Sequence, residues 1–553
     1  MVLTLTDAPL ASPAYTGIGD ERALCAAAWA LIRGGDLAEV SCAESELIEA
    51  AGQSLPPREL EDLATAIRAG DDPLGASFAR LRSTAQRRKL GATYTPAALV
   101  GPMSEWLAHF KRAARVVDPG AGSARFLCAV GRYLPEAQLM AVEIDPLAAL
   151  TARANLTVLG FDGRSVVDTT DYRALRLPSI PSPTAFVGNP PYVRHHDIAP
   201  GWKSWLRERS ADLGLKASAL AGLHVHFLLA TAHLAETGDF GVFVTSSEWL
   251  DVGYGQLARE LFAGPLGGLS IHILDARTQA FADAVTTATV MAFDVGETQQ
   301  RVRVRKITDT EDLRGLAGGE SFSPGELRAQ RRWSALLEPR VSIPSGFVAL
   351  GDFCRVHRGA VTGANATWVT KQGDPRLPSS VLVPAVTKAS ELFNSVSGVL
   401  AGCGDLRAVI DLPEDLDILD ADAKALVERF LRAARRAGAA SGYIARHRKP
   451  WWSVKLRSPA PLLATYMARR PPAFVRNLAA ARNLNTVHGI YPMESLSEEA
   501  LCSLTRVLRD RATLSGGRTY AGGLTKFEPS EMERIMVPPP GLLEAGETWA
   551  FFA

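Results

Sequence analysis

From about Lys89 to residue 300, short apolar runs rich in Val, Ile and Phe alternate with helix-length stretches. No other feature constrains the fold as much. "ARVVDPGAG" is a buried strand running into a glycine turn, and "AQLMAVEIDP" is the next strand, followed by the helix "LAALTARANLTVLG". "RSVVDTTDY" and "PTAFVGNPPY" follow. The helix "LAGLHVHFLLATAHLAETG" then leads into "DFGVFVTSSEWL", and "LSIHILDA" and "TTATVMAFDV" close the series. Strands that alternate with helices predict an α/β fold with a mostly parallel, doubly wound sheet. Ligands on such sheets bind outside the C-terminal strand ends, near the point where strand order reverses.

The residues at those strand ends are therefore the first candidates for chemistry. The first strand runs into Asp118, Pro119, Gly120, Ala121, Gly122 and Ser123. Glycines there let backbone approach a ligand closely. The loop matches neither the dinucleotide pattern GxGxxG nor the Gly-Lys-Ser/Thr of a phosphate loop. The second strand ends at Glu143, and a carboxylate there can accept both hydroxyls of a ribose. The third ends at Asp168 and Asp171, either of which can accept from an adenine amino group. Three successive acidic ends, with no basic residue to hold a polyphosphate, fit a nucleoside whose charge is not phosphate. A sulfonium such as S-adenosylmethionine is one. The fourth strand delivers Asn189, Pro190, Pro191 and Tyr192. The two prolines surrender two backbone donors, so the strand cannot continue. The chain must leave the sheet, presenting an amide and a flat aromatic ring at its edge.

"DPGAGSARFL", "VEIDP" and "NPPYV", in that order and spacing, resemble the gamma-class N6-adenine DNA methyltransferases, the TaqI-methylase-like enzymes of type II restriction–modification systems. "KLGATYTP", at Lys89 to Pro96, looks like the extra cofactor-side motif of that class. The resemblance covers about 89–300 strongly and "GAVTGANATWV" (359–369) more loosely. It implies the class I S-adenosylmethionine-dependent methyltransferase fold, with the catalytic domain first and a mixed α+β target-recognition domain last. It further implies a cofactor site of Thr93, Tyr94, Thr95, Asp118, Pro119, Gly120, Gly122, Glu143, Ile144, Asp171 and Asn189, and no metal. The Asn189 side chain and the Pro190 carbonyl would accept the hydrogens of the target amine, with Pro191 shaping the loop. Base flipping would place the adenine between Tyr192 and Phe281. Ala124 departs from the pattern, since many relatives carry a third glycine there; its methyl is expected to be tolerated.

The flanks carry less chemistry. Residues 1–88 read as a helical N-terminal domain, from "ERALCAAAWALIRGG" and "PPRELEDLATAIRAG". Residues 301–344 read as a linker and 345–553 as the recognition domain, with a helix in "DAKALVERFLRAARRAGAA". The net charge of +1 hides an uneven distribution. Asp7 to Asp72 holds thirteen acidic and four basic side chains, whereas Lys424 to Arg482 holds fourteen basic residues and one acid, Glu428. That rear excess points to double-stranded DNA as the partner. Candidate contacts are Arg358, Thr362 and Asn365 in the first stretch of the recognition domain, and Arg446, Arg448 and Lys449 in the basic tract. Trp451 and Trp452 suit either DNA or a core. His195 and His196 suit loop or phosphate contacts, and His224, His226 and His233 read as structural.

Six scattered cysteines without a CxxC pair argue against a zinc site and for a reducing cytoplasm. No apolar run is long enough to span a bilayer, and the N-terminus lacks the pattern of a signal peptide. A cognate restriction endonuclease acting separately is the partner that the resemblance implies, because residues 1–88 show no Asp…Glu-x-Lys nuclease cluster. Competing readings are a methyltransferase of the same fold acting on RNA or on a protein glutamine, and a non-catalytic DNA-binding subunit. An intact Asn189–Tyr192 segment argues against the last.

Overall fold

The alternating runs become strands of one nine-stranded sheet in the computed structural model. The structure describes residues 15–545 except 16, 33–39, 84–85, 87–90, 92, 276–286, 297–298, 338–343, 396, 514–515 and 521–523. The strands are β1 (Arg115–Pro119), β2 (Gln138–Val142), β3 (Ser165–Asp168), β4 (Thr184–Gly188), β5 (Phe240–Ser246), β6 (Gly268–Leu274), β7 (Ala288–Asp294), β8 (Val302–Ile307) and β9 (Glu320–Phe322). Their order is β3-β2-β1-β4-β5-β7-β6-β8-β9. β1 to β5 pair in parallel. β7 runs antiparallel to both β5 and β6. β1, β4, β5 and β7 are buried along their whole length. Helices cover both faces of the sheet, so these strands are continuously apolar rather than alternating. Leu99, Met103 and Leu107 of the helix Ala97–Phe110 pack on one side, and Val225, Leu228 and Leu229 of Leu223–Leu234 on the other.

The chain divides into two compact units, Met1–Glu338 and Pro339–Ala553. Two expectations change as a result. The stretch 301–344, read as a linker, contributes β8 and β9 to the sheet. In β8, Val302, Val304 and Ile307 are buried while Arg303 is exposed. That alternation belongs to a half-covered strand, and its charges resemble those of a connection. Trp333 is buried against Trp249 and Phe262, with ring centroids 5.9 and 6.0 Å away.

The helical N-terminal region likewise forms no separate unit. Its helices are α1 (Glu21–Ile32), α2 (Cys42–Ala50), α3 (Pro57–Ala69) and α4 (Pro73–Leu81). Ser41 closes a capping box on α2, and Gly70, at φ 105°, ends α3. Leu24, Leu63, Ile67 and Leu74 share a core with Leu147, Leu150 and Ala154 of the helix Pro146–Val158. The buried Glu44 and Arg153 pair across that contact at 2.7 Å.

The second unit is mixed α+β. A five-stranded sheet includes Cys354–Arg358, Val487–Pro492, Leu462–Thr465 and Phe474–Asn477, and packs on the helix Glu498–Arg511. A four-stranded sheet is centred on Leu382–Val386 and Arg407–Ile410. The predicted helix is present as Ala421–Arg436. It buries Val427 and Leu431, and Arg429, Arg432, Arg435 and Arg436 are exposed. Among the described residues no helix is long and apolar enough to cross a membrane.

Candidate active site

Strand order reverses between β1 and β4: β2 and β3 extend the sheet beyond β1, and β5 extends it beyond β4. Doubly wound sheets place ligands at this point. The loops from Asp118 and from Asn189 leave the C-terminal ends of these two strands and line one cleft. It encloses about 1170 Å³, counting the part open to solvent. Thr93, Tyr94, Thr95, Gly120, Gly122, Glu143, Ile144, Asp171 and Pro191 also line it.

Asp118 lies against β4. A Cβ at Gly188 would come 2.6 Å from its Oδ1, so only glycine fits there. Both carboxylate oxygens are buried and have no hydrogen-bond partner among the described residues. Burial, and then the nearby Glu143 charge, push the Asp118 carboxyl well above the usual carboxylate range. Glu143 is also raised, chiefly by burial, although backbone donors oppose the shift. Its Oε2 accepts from Gly122 N at 2.8 Å and its Oε1 from Asp145 N at 2.9 Å. A carboxylate offers about four acceptor positions, so these bonds do not exhaust it. Ile144 beside it is 55% exposed, an apolar surface at the cleft.

The acids at the cleft divide into two groups. Asp171 is held by Arg173 at 2.6 and 2.9 Å, and Asp145 by Arg82. Among the described residues, Asp118 and Glu143 have no such cation. Of the lining arginines, Arg125 is engaged with Asp72 and the Thr95 carbonyl, and Arg173 with Asp171. Among the described lining residues, neither arginine is therefore idle. Ala124 adopts φ 63° at the start of the helix Arg125–Val130. Its methyl is accommodated in a left-handed conformation that costs roughly 1–2 kcal/mol for a non-glycine residue.

The segment from Gly91 to Thr95 clasps the Asn189 loop. Gly91 O accepts from Tyr192 N at 3.2 Å. A Cβ at Gly91 (φ 67°) would lie 2.6 Å from that nitrogen. Close approach and positive φ both demand glycine there. Asn189 Nδ2 donates to Thr95 Oγ1 at 3.0 Å, whereas Asn189 Oδ1 is buried without a partner among the described residues. Tyr192 sits beside the buried His224, ring centroids 6.4 Å apart, and burial raises its phenol. Phe281 lies outside the described residues. His226 stacks on Trp205 at 5.9 Å, and burial of His224 and His226 suits their structural reading, whereas His233 is exposed and meets the Arg209 carbonyl at 2.9 Å.

In the second unit the candidate DNA contacts separate. Arg358, Asn365, Arg446 and Lys449 are exposed. Thr362 is buried, and its hydroxyl donates to Asn365 and accepts from Ala364 N. Arg448 donates to the carbonyls of Val361 and Thr362. Thr362 is a correction, since it faces inward; the half-buried Arg448 braces the same loop from Gly359 to Asn365. Trp451 and Trp452 belong to a core with Trp368 and Phe430. The Arg448 hydrogen bonds link residues more than eighty positions apart, and no local pattern signals them.

The sheet order, with β7 inserted antiparallel between β5 and β6, and the glycine loop facing the Asn189 loop define the class I S-adenosylmethionine-dependent methyltransferase fold. The chain belongs to the type II DNA methyltransferases of restriction–modification systems. It is 46% identical over 527 residues to type II methyltransferase M.XamI of Xanthomonas campestris pv. amaranthicola, covering 94% of this chain and 98% of that one. It is 22% identical over 499 residues to type II methyltransferase M.AccI of Acinetobacter calcoaceticus, covering 84% of this chain and 88% of that one. Residues 338–548 match the family described as type II methyltransferase M.Eco57I, C-terminal domain. Among solved structures, the type IIL restriction-modification enzyme MmeI in complex with DNA shares the fold. Its TM-score is 0.54 at 14% identity, over 78% of this chain and 66% of that one.

Proposed function

We propose that this DNA methyltransferase modifies the N6 amino group of an adenine flipped out of the duplex, with S-adenosylmethionine held in the cleft at β1 and β4. The Asn189 amide carries the reading. Thr95 holds its nitrogen, leaving a buried oxygen with an unfilled acceptor position. An adenine amino group is a poor nucleophile because its lone pair is delocalised into the ring. Acceptors at Asn189 Oδ1 and the Pro190 carbonyl would draw the two amino hydrogens and turn the nitrogen towards tetrahedral geometry. Neither needs to remove a proton before attack. Tyr192 would stack on the extruded base. When bound, S-adenosylmethionine supplies the electrophilic methyl on a sulfonium. Asp118 and Glu143 would offer acceptor atoms to the cofactor, Glu143 to its ribose hydroxyls. Mapping modified bases in DNA from a host expressing this chain tests the reading. N6-methyladenine at one short site is expected; a mark on cytosine, or none, would refute it.

Glu143→Ala should weaken cofactor binding by about 1.5–3 kcal/mol, the range for a hydrogen bond to a charged group. It also strips an acceptor from Gly122 N and Asp145 N. Titration calorimetry checks it, and an unchanged affinity would place the ribose contact elsewhere.

The second unit is proposed to hold the duplex and choose the site. Phosphate contacts carry most of the affinity in such complexes, and each one lost flattens the salt slope by about one unit. Reversing the charge of the exposed Arg446 and Lys449 should therefore weaken binding to every sequence alike and flatten the slope by about two units. An unaltered salt dependence would assign this surface another task. Arg448 is a poor choice for that experiment, because replacing it undoes the loop it braces.

A further inference from the structure

We propose that α4 forms one wall of the cofactor cleft and that Phe78 packs on the nucleoside half of the cofactor. The N-terminal helical region is then part of the binding site. This rests on the assignment of the cleft to S-adenosylmethionine made above.

Gly75, Phe78 and Ala79 line the cleft. Their spacing puts them on one face of α4, and Leu74 of the same helix is buried in the core shared with Leu147 and Leu150. Both ends of α4 are tied to the binding loops. At the first turn, Asp72 accepts from Gly75 N at 2.9 Å, from the Ser123 hydroxyl at 2.5 Å and from Asn155 Nδ2 at 3.0 Å. Ser123 belongs to the glycine loop. A Cβ at Gly75 would fall 2.4 Å from its Oγ, which measures how tightly helix and loop are pressed together. At the last turn, the Arg82 guanidinium lies 4.6 Å over the Phe78 ring and pairs with Asp145 and Glu21. Asp145 N in turn donates to Glu143, the proposed ribose clamp.

Phe78 is therefore bracketed by the glycine loop and by the end of β2, the side where Glu143 and the exposed Ile144 sit. A purine and its ribose offer flat, largely apolar faces, and an aromatic ring beside an exposed isoleucine complements them. The acid-rich, helical N-terminal segment would then bind cofactor through one aromatic side chain, and the ties from Asp72 to Ser123 and Asn155 and from Arg82 to Asp145 would hold that ring in place.

The test uses the full chain with Phe78→Ala and Phe78→Leu, and Leu81→Ala as a control that trims the same helix outside the cleft. Calorimetry measures binding of S-adenosylmethionine and of 5′-methylthioadenosine, which lacks the amino-acid half. Phe78→Ala should weaken both ligands by a similar factor, roughly tenfold, and raise the KM for S-adenosylmethionine with kcat near the parent value. Phe78→Leu should lose less and serves if the alanine variant does not fold. Leu81→Ala should lower the melting temperature and leave both affinities unchanged. Parent-like affinities in both Phe78 variants would overturn the inference, as would an equal loss in Leu81→Ala. If the parent chain itself binds neither ligand, the assignment of the cleft fails and this inference with it.

Discussion

Asn189→Ala should slow methyl transfer by about two to three orders of magnitude, the usual effect of deleting one preorganised hydrogen-bonding group at a reacting centre. The fold and the cofactor affinity should stay near those of the parent. Among the described residues the side chain makes a single hydrogen bond, from Nδ2 to Thr95 Oγ1 at 3.0 Å. The loop keeps its other anchor, the Tyr192 N–H to Gly91 O bond at 3.2 Å, and its two prolines remain rigid. What disappears is the buried Oδ1, the acceptor that would polarise the target amine. Single-turnover transfer into a DNA duplex at saturating cofactor measures the loss directly. A rate equal to the parent's would show that the amide takes no part in the reaction.

Glu44→Ala is expected to destabilise the first unit by about 3–5 kcal/mol, the range for breaking a buried ion pair from one side. Glu44 and Arg153 are 0% and 2% exposed. The guanidinium reaches Glu44 Oε1 at 2.7 Å and Oε2 at 3.2 Å, and also donates to Val167 O at 2.7 Å. Ser41 N and the Thr169 hydroxyl donate to the same carboxylate. Alanine would leave a buried arginine without its counter-charge. Glu44→Leu combined with Arg153→Met should recover most of the loss, because the desolvation cost of both charges goes with them. Burial works to raise the Glu44 carboxyl, but the hydrogen bonds from Arg153 and Ser41 outweigh it and hold the carboxyl below the ordinary range. A folded value below the unfolded one means that the contribution is complete above about pH 4.3. It is lost as pH falls through the lower folded value. Denaturant unfolding at neutral and acid pH reads both effects, and a single variant as stable as the parent would contradict the account.

Both predictions concern contacts that differ sharply in how far the amino-acid order alone reveals them. The strands β4, β5 and β7 are readable because burial on both sheet faces writes each as a largely apolar run. The cleft was readable for a different reason. Its chemistry demands scarce residue types at strand ends: paired glycines, an acid for a ribose, and an amide ahead of two prolines. The resemblance to gamma-class motifs rests on the same residues.

Other features depend on partners far away in the chain and leave no local mark. β8 looks like a connection because one of its faces carries charge, and β9 because it is short. The antiparallel sense of β7 follows from where its neighbours lie in the sheet. Thr362 and Arg448 look like surface groups fit to meet DNA, yet their side chains hydrogen-bond within the chain to build a loop. The N-terminal helices show periodicity but no target for it. Their target is the helix Pro146–Val158, and the ties from Asp72 to Ser123 and from Arg82 to Asp145 span fifty or more residues. Local order thus specifies elements and reactive groups, because propensity and chemistry act within a few residues. Which buried groups meet is decided by the closed fold, because burial and ion pairing depend on distance in space.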